Sequence, residues 1–434
     1  MASEERHGQP RDLFGLWFAA NAETATWSIG ILTLALYGTT LPAAIGGIVA
    51  GNILGYAILA LLSSLGPRYG LPQMMQSRLA FGILGNVFPA GLAFLAGVGW
   101  FAVNCVLGAY ALGTLAHLPY LPALCIMLAI QVSIVVYGFN MLAAFERITA
   151  FALLAGFCVL GTATMRHADW QTPFNLHAPL AGGGEISGTV MAFALAFSYV
   201  VGWAPAASDY SRYLPESAST RSIWLWVFFG GFIPSTILEV MGAATVTALP
   251  GVDLSALQPT AAIPLLLGGG AAAYFGLLTI VLGTMTANCL NLYSGALSAL
   301  AAGIRVPRWL AAVAIGTIGG ALALLGAQPQ KTAEIYTNFL LLLATWAAPW
   351  TGVVIVEWWQ TRSRAVDSAR AFALRPLVRD GCLAWLIGII ASIPFLDQAW
   401  FVGWIARANP QLGDVSYEVG MLAAAGAMLV LRKR

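Results

Sequence analysis

Apolar runs of roughly 20 residues recur from one end of this chain to the other, each long enough to cross the hydrocarbon core of a bilayer as a helix. We count twelve, at 14–37, 41–65, 87–116, 120–139, 143–164, 187–207, 222–249, 271–301, 308–326, 333–357, 381–397 and 416–431. Lipid supplies no hydrogen bonds, so each segment must satisfy its own backbone. The expected class is therefore an all-α membrane protein with twelve transmembrane helices. Composition agrees, because 59% of the residues are hydrophobic and only 9% charged, far from a soluble domain. A formal net charge of +2 implies no nucleic-acid partner. Membrane lipid is the implied surrounding.

Charge sets the orientation. With the N-terminus inside and twelve crossings, seventeen of the 20 basic residues fall in internal segments, leaving only Arg166, Lys331 and Arg407 outside. The positive-inside rule favours this arrangement, with both termini cytoplasmic. The stretch before the first run mixes Glu4, Glu5, Arg6 and Arg11, and the run itself is long, so no cleavable signal peptide is expected. The chain then divides into a cytoplasmic segment at 1–13, spans one to five at 14–164, and an external loop at 165–186. Spans six to ten follow at 187–357, a basic internal loop at 358–380, and spans eleven and twelve with a short basic tail at 381–434. Residues 261–267, fenced by Pro264 and Gly268-Gly269-Gly270, read as a re-entrant or interfacial helix. The five cysteines lie in apolar spans without metal spacing and read as packing residues.

Two spans look interrupted. The first carries the polar patch Ala20-Asn21-Ala22-Glu23-Thr24-Ala25-Thr26, and the sixth carries Gly202-Trp203-Ala204-Pro205. Breaks five helices apart suit a five-plus-five inverted repeat; ordinary Gly/Pro kinking is the other reading. Trp100 and Trp203 lie deep in apolar spans, although Trp prefers the interface. Asn104 is four residues from Trp100, on the same helix face. Two indoles beside an amide and a helix break suggest a flat aromatic solute held between rings, with helix packing as the plain alternative.

The residues that carry these features resemble the nucleobase:cation symporter-1 family, in its purine-cytosine permease branch. They are Trp17-Phe18-Ala19-Ala20-Asn21 and Ser28-Ile29-Gly30, then Gly70-Leu71-Pro72-Gln73-Met74, Ser77-Arg78 and Phe81-Gly82. Further along come Trp100-x-x-x-Asn104, Phe145-Glu146-Arg147, Gly202-Trp203-Ala204-Pro205, Ser208-Asp209-Tyr210-Ser211-Arg212-Tyr213 and Asn288-x-x-Asn291-Leu292-Tyr293-Ser294. They occur in the family's order over the first 300 or so residues; the last two spans carry no such motif.

The resemblance implies a LeuT-type transporter, with spans one to five and six to ten as inverted repeats and two extra C-terminal helices. It implies uptake of a nucleobase or related heterocycle, coupled to H+ or Na+, with no other cofactor. Trp100 and Trp203 would stack on the base, Asn104 would read its edge, and Asn288 or Asn291 would add a second amide. Asn21, Glu23 and Gly202 belong to the same expected substrate site. A membrane Asn more ordinarily bonds a neighbouring helix, so that reading stands beside the ligand role for Asn288 and Asn291.

An acid inside a span is costly and is a functional hypothesis by default. Glu146 and Glu23 are the leading candidates for ion coupling, with an interfacial ion pair and backbone capping as their respective alternatives. Glu239 is a third, with no partner visible in sequence. Thr284 and Thr286 could offer a sodium ion hard oxygen ligands. Ala287 follows Thr286 where sodium-coupled members tend to carry a second hydroxyl, which tilts the expectation toward protons. Asp209 and Arg212, just inside span six, are expected either to gate the cytoplasmic side or to cap their own loop. An intramembrane enzyme is disfavoured, since the four histidines lie in loops or at span ends and no His-Glu-x-x-His or paired-Asp motif occurs. A passive channel is the remaining rival.

Overall fold

The computed structural model describes residues 6–432 except 138, 255–258, 363–375 and 399; at 135–137, 139–148, 150, 259, 308, 327 and 329–334 it describes the backbone alone. The twelve runs are twelve helical spans. Span one is split into Asp12–Asn21 and Thr24–Tyr37. Spans two to five are Leu41–Ser63, Val87–Ala116, Tyr120–Tyr137 and Phe139–His167. Span six is Gly184–Trp203 with its extension Ala207–Ser211, and span seven is Thr220–Ala248. Spans eight to twelve are Gly270–Ala301, Arg308–Ala323, Pro329–Thr361, Arg379–Ser392 and Ser416–Leu431. A short helix, Ala262–Leu267, precedes span eight.

Among the described residues, seven helices are long and apolar enough to cross a membrane unaided. Of the other five, span one is split, spans four, eleven and twelve are of 18 residues or fewer, and span five runs through residues of which only the backbone is described. Large apolar side chains such as Phe151, Ile237, Leu422 and Val430 lie on the outer surface, a disposition that suits lipid rather than water.

The two interruptions differ in kind. In span one the helix ends at Asn21, Glu23 is fully extended (φ −137°, ψ 169°), and a new helix starts at Thr24. Span six is bent rather than severed: Ala204–Ala206 form one 3-10 turn between its two helices. Pro205 has no N–H to offer a longer α-helical ladder.

Packing follows the repeat. Span three lies on span eight, two on seven, and four on nine, so each meets the span five places later. Span two packs on six as seven packs on one, which is the same pair exchanged between repeats. Close approach is bought with glycine. Gly47, Gly51 and Gly55 form one stripe on span two, and a Cβ at any of them would collide with Thr189, Phe193 or Val200 of span six. Gly30 and Gly242 do the same between spans one and seven, meeting the backbone at Glu239 and Trp27.

Candidate functional site

The break in span one puts unsatisfied backbone at the centre of the bundle, and neighbouring side chains answer it. The Asn21 carbonyl accepts from Thr26 Oγ1 at 2.8 Å, and the Ala25 carbonyl accepts from Tyr336 OH at 3.1 Å. Asn21 itself turns back, donating from Nδ2 to the Trp17 carbonyl at 2.7 Å. Span eight lies against the break: a Cβ on Gly283 would be in ordinary contact, 3.5 Å from the Ala22 carbonyl oxygen. Thr286 is one turn further along the same span, its hydroxyl donating to the Gly283 carbonyl at 2.8 Å. Thr284 points instead toward Gly108 of span three.

Glu23 is buried at the break. Its Oε1 accepts from Tyr199 OH at 3.2 Å, and Tyr199 also shares a 2.7 Å hydrogen bond with Thr26. Oε2 is buried without a partner. Asn104 lies near enough to influence this carboxyl. Its Oδ1 is buried with no hydrogen-bond partner.

Trp100 stands in an aromatic cluster, edge-on to Tyr199 at 5.5 Å, Tyr336 at 6.1 Å and Phe339 at 5.3 Å. Span six passes its ring closely. A Cβ on Gly202 would sit 3.5 Å from Trp100 Nε1, a normal contact that leaves room for a methyl group and little more. Trp203, the next residue, is edge-on to Trp17 at 5.8 Å, and its Nε1 is buried with no partner. The two indoles are thus on the same level of span six, enclosed by protein and away from lipid, with 4% and 5% of their surfaces exposed.

The helix-eight amides divide. Asn288 donates to Gln131 Oε1 of span four at 2.6 Å and to the Phe101 carbonyl of span three at 3.1 Å. It is spent on holding spans three, four and eight together. Asn291 donates to Asn288 Oδ1 at 3.3 Å and lies against Gly97 of span three. Glu146 is in span five, and its side chain lies outside the described residues.

Asp209 and Arg212 do not join their charged groups. Asp209 Oδ1 accepts from the Gln73 N–H at 2.9 Å, fastening the short helix after span two. Arg212 donates from Nε to the Asp209 carbonyl and from Nη2 to Tyr293 OH at 3.0 Å, and lies over the Tyr213 ring at 5.0 Å. Tyr293 stacks on Tyr210 at 5.9 Å, and Tyr210 shares a hydrogen bond with Ser294. These contacts tie spans six and eight below the tryptophans.

Sequence reasoning passed over Tyr199, Tyr336 and Phe339. Tyr199 had a signal, being four residues before Trp203 on the same face. Tyr336 and Phe339 sit at the start of span ten among Glu334, Thr337 and Asn338, a polar patch that sequence reasoning did not take up.

Known proteins place this arrangement. Residues 1–420 match the family described as permeases for cytosine/purines, uracil, thiamine and allantoin. The chain is 25% identical to the putative purine-cytosine permease YxlA of Bacillus subtilis, over 99% of this chain and 94% of that protein. It is 27% identical to the purine-cytosine permease fcyB of Emericella nidulans, over 99% of this chain and 86% of that one. Its fold is similar to that of Mhp1, a nucleobase-cation-symport-1 transporter solved closed with bromovinylhydantoin bound: TM-score 0.78, 20% identity, 99% of this chain and 93% of that one. A permease rather than an enzyme, the chain belongs to this cytosine/purine permease family, built as a LeuT-type membrane protein.

Proposed function

We propose that the chain is a cation-coupled secondary importer of a nucleobase such as cytosine or a purine, working by alternating access. The observation that carries the reading is Asn104: a buried carboxamide beside the Glu23 carboxyl, its acceptor unpaired, on the same helix face as Trp100. Leaving such a group unpaired costs about 1–3 kcal/mol, which a ligand with a complementary edge restores. A carboxamide both donates and accepts, matching the mixed edge of cytosine, adenine or hypoxanthine. Glu23 Oε2 is an acceptor for an exocyclic amine. Trp100 and Trp203 are the walls for the ring, with Asn21 and Gly202 shaping the floor between them. Asn291 is the nearer candidate for a second amide, because Asn288 is committed to Gln131.

Protons are favoured over sodium as the coupling ion. Thr286 offers one hydroxyl by the break, while Ala287 after it offers none; the buried acids supply proton carriers instead. The proposed location is the cytoplasmic (inner or plasma) membrane, with both termini inside, as the basic loops favour. Labelled cytosine, adenine, hypoxanthine and uracil, offered to cells lacking their own permeases, test the substrate. Accumulation of one of them, abolished when the proton gradient is collapsed, is the expected result. If no base accumulates with protein at the membrane, the same assay with hydantoin, allantoin and hydroxymethylpyrimidine decides for another heterocycle. Equilibration without accumulation decides for a passive facilitator.

A further inference from the structure

A second carboxyl is buried away from the tryptophans. Glu239 lies in span seven with no exposed surface, its backbone pressed on Gly30 of span one. Asn52 of span two is equally buried and donates from Nδ2 to Glu239 Oε2 at 2.7 Å; the same Nδ2 lies 3.2 Å from Thr236 Oγ1. Glu239 Oε1 and Asn52 Oδ1 are left over, both buried and both without a hydrogen-bond partner. Each is an acceptor when the carboxyl is ionised. A carboxyl and an amide already joined by one N–H···O bond are half of an acid–amide ring. The missing element is a single hydrogen: on Oε1 it donates to Oδ1 and satisfies both atoms at once.

Among the described residues, no cation offers an alternative: no basic side chain reaches Glu239. An unpaired charge at this depth is heavily penalised. The titratable groups around it are Tyr56 of span two, bonded to Ser235, and Tyr336 of span ten. Span one presents Gly30, and span five meets span seven at Gly161 and Met241, none of them titratable. Tyr56 and Tyr336 are each within electrostatic reach of Glu239 and of Glu23, so the two carboxyls share neighbours.

We propose that Glu239 and Asn52 form a proton-binding site, in which one proton taken from the aqueous side closes the acid–amide ring between spans two and seven and drives transport. The step converts a carboxylate and a proton to a carboxylic acid; no other bond changes, and release toward the cytoplasm reverses it. This deepens the cation-coupled reading above and rests on it for the transport role.

Infrared spectra of the purified full-length protein test the site itself, whatever compound is carried. The wild type at neutral pH is expected to show a protonated-carboxyl stretch that Glu239→Gln removes and Asn52→Leu shifts, insensitive to sodium. Identical spectra for wild type and Glu239→Gln, or a band lost on adding sodium, overturn the proposal. In proteoliposomes carrying the labelled base, Glu239→Gln reproduces the protonated acid, so its carboxamide keeps the ring closed. Tracer exchange should then persist while concentrative uptake falls by about tenfold or more and loses its pH dependence. Wild-type pH dependence in that variant overturns the coupling role. A wild type that exchanges no base is a failure of the nucleobase reading, and the infrared band remains to judge Glu239.

Discussion

Asn104 holds a buried acceptor with no partner, beside the Glu23 carboxyl. Asn104→Leu should therefore stabilise the ligand-free protein by about 1 kcal/mol, read as a rise in melting temperature. The same change should abolish uptake of the base, and stability without loss of uptake would remove Asn104 from the site. Trp203→Ala tests the stacking wall. With one aromatic partner removed, affinity should weaken by about 1–3 kcal/mol, measured by competition with labelled base. Asn104 was legible because its spacing from Trp100 places both on one helix face. The fate of Asn288 was not: its partner Gln131 is 157 positions away, and nothing in a single sequence ties span four to span eight.

Span two shows how an element's sequence encodes its neighbour. Gly46 and Gly47 are adjacent, yet they face opposite environments. A Cβ at Gly46 meets nothing within 4 Å, whereas one at Gly47 strikes the Thr189 backbone. Gly51, one turn on, would bring a Cβ to 2.5 Å from the Phe193 carbonyl oxygen. Backbone cannot yield as a side chain can. Gly51→Leu should cost on the order of 3 kcal/mol or more by overpacking, seen as loss of the monodisperse peak in size-exclusion chromatography. Gly46→Leu should leave that peak and the melting temperature nearly unchanged; equal damage from both would disprove the packing stripe. The breaks were legible to different degrees. A polar patch in an apolar run forecasts a true gap, and span one has one. Gly202 and Pro205 forecast only that the ladder fails, and the chain resolves it with a single 3-10 turn.

At the scale of the whole molecule, the two ends of the bundle are held by unlike means. At the end expected outside, the loop before span six is laced to span one, with the Asn175 N–H on the Gly38 carbonyl and the Leu180 N–H on the Leu36 carbonyl. At the end bearing the basic loops, the seal is made of side chains: Arg212 holds Tyr293, Tyr293 holds Tyr213, and Asp209 holds Gln73. Alternating access requires one seal to part while the other holds. Side chains part more readily than a laced backbone, and the guanidinium of Arg212 is the piece common to both tyrosines. Removing it shifts the equilibrium toward an inward-open state without touching the tryptophans. The twelve-span count was legible from hydropathy, and Asp209 and Arg212 were expected as a gate or a loop cap; Tyr293 was not, because only the fold brings its hydroxyl to Arg212. Arg212→Ala in an Asn291→Cys background provides the measurement. Asn291 lies two residues before Tyr293 on span eight and is only 5% exposed. With the seal weakened, a membrane-impermeant thiol reagent applied from the cytoplasmic face should modify position 291 faster, by about tenfold for a shift of about 1.4 kcal/mol. Addition of the transported base should slow it again by filling the slot. Labelling at the same rate with and without Arg212 would reduce that residue to a loop cap and leave the seal to Asp209 and the tyrosines.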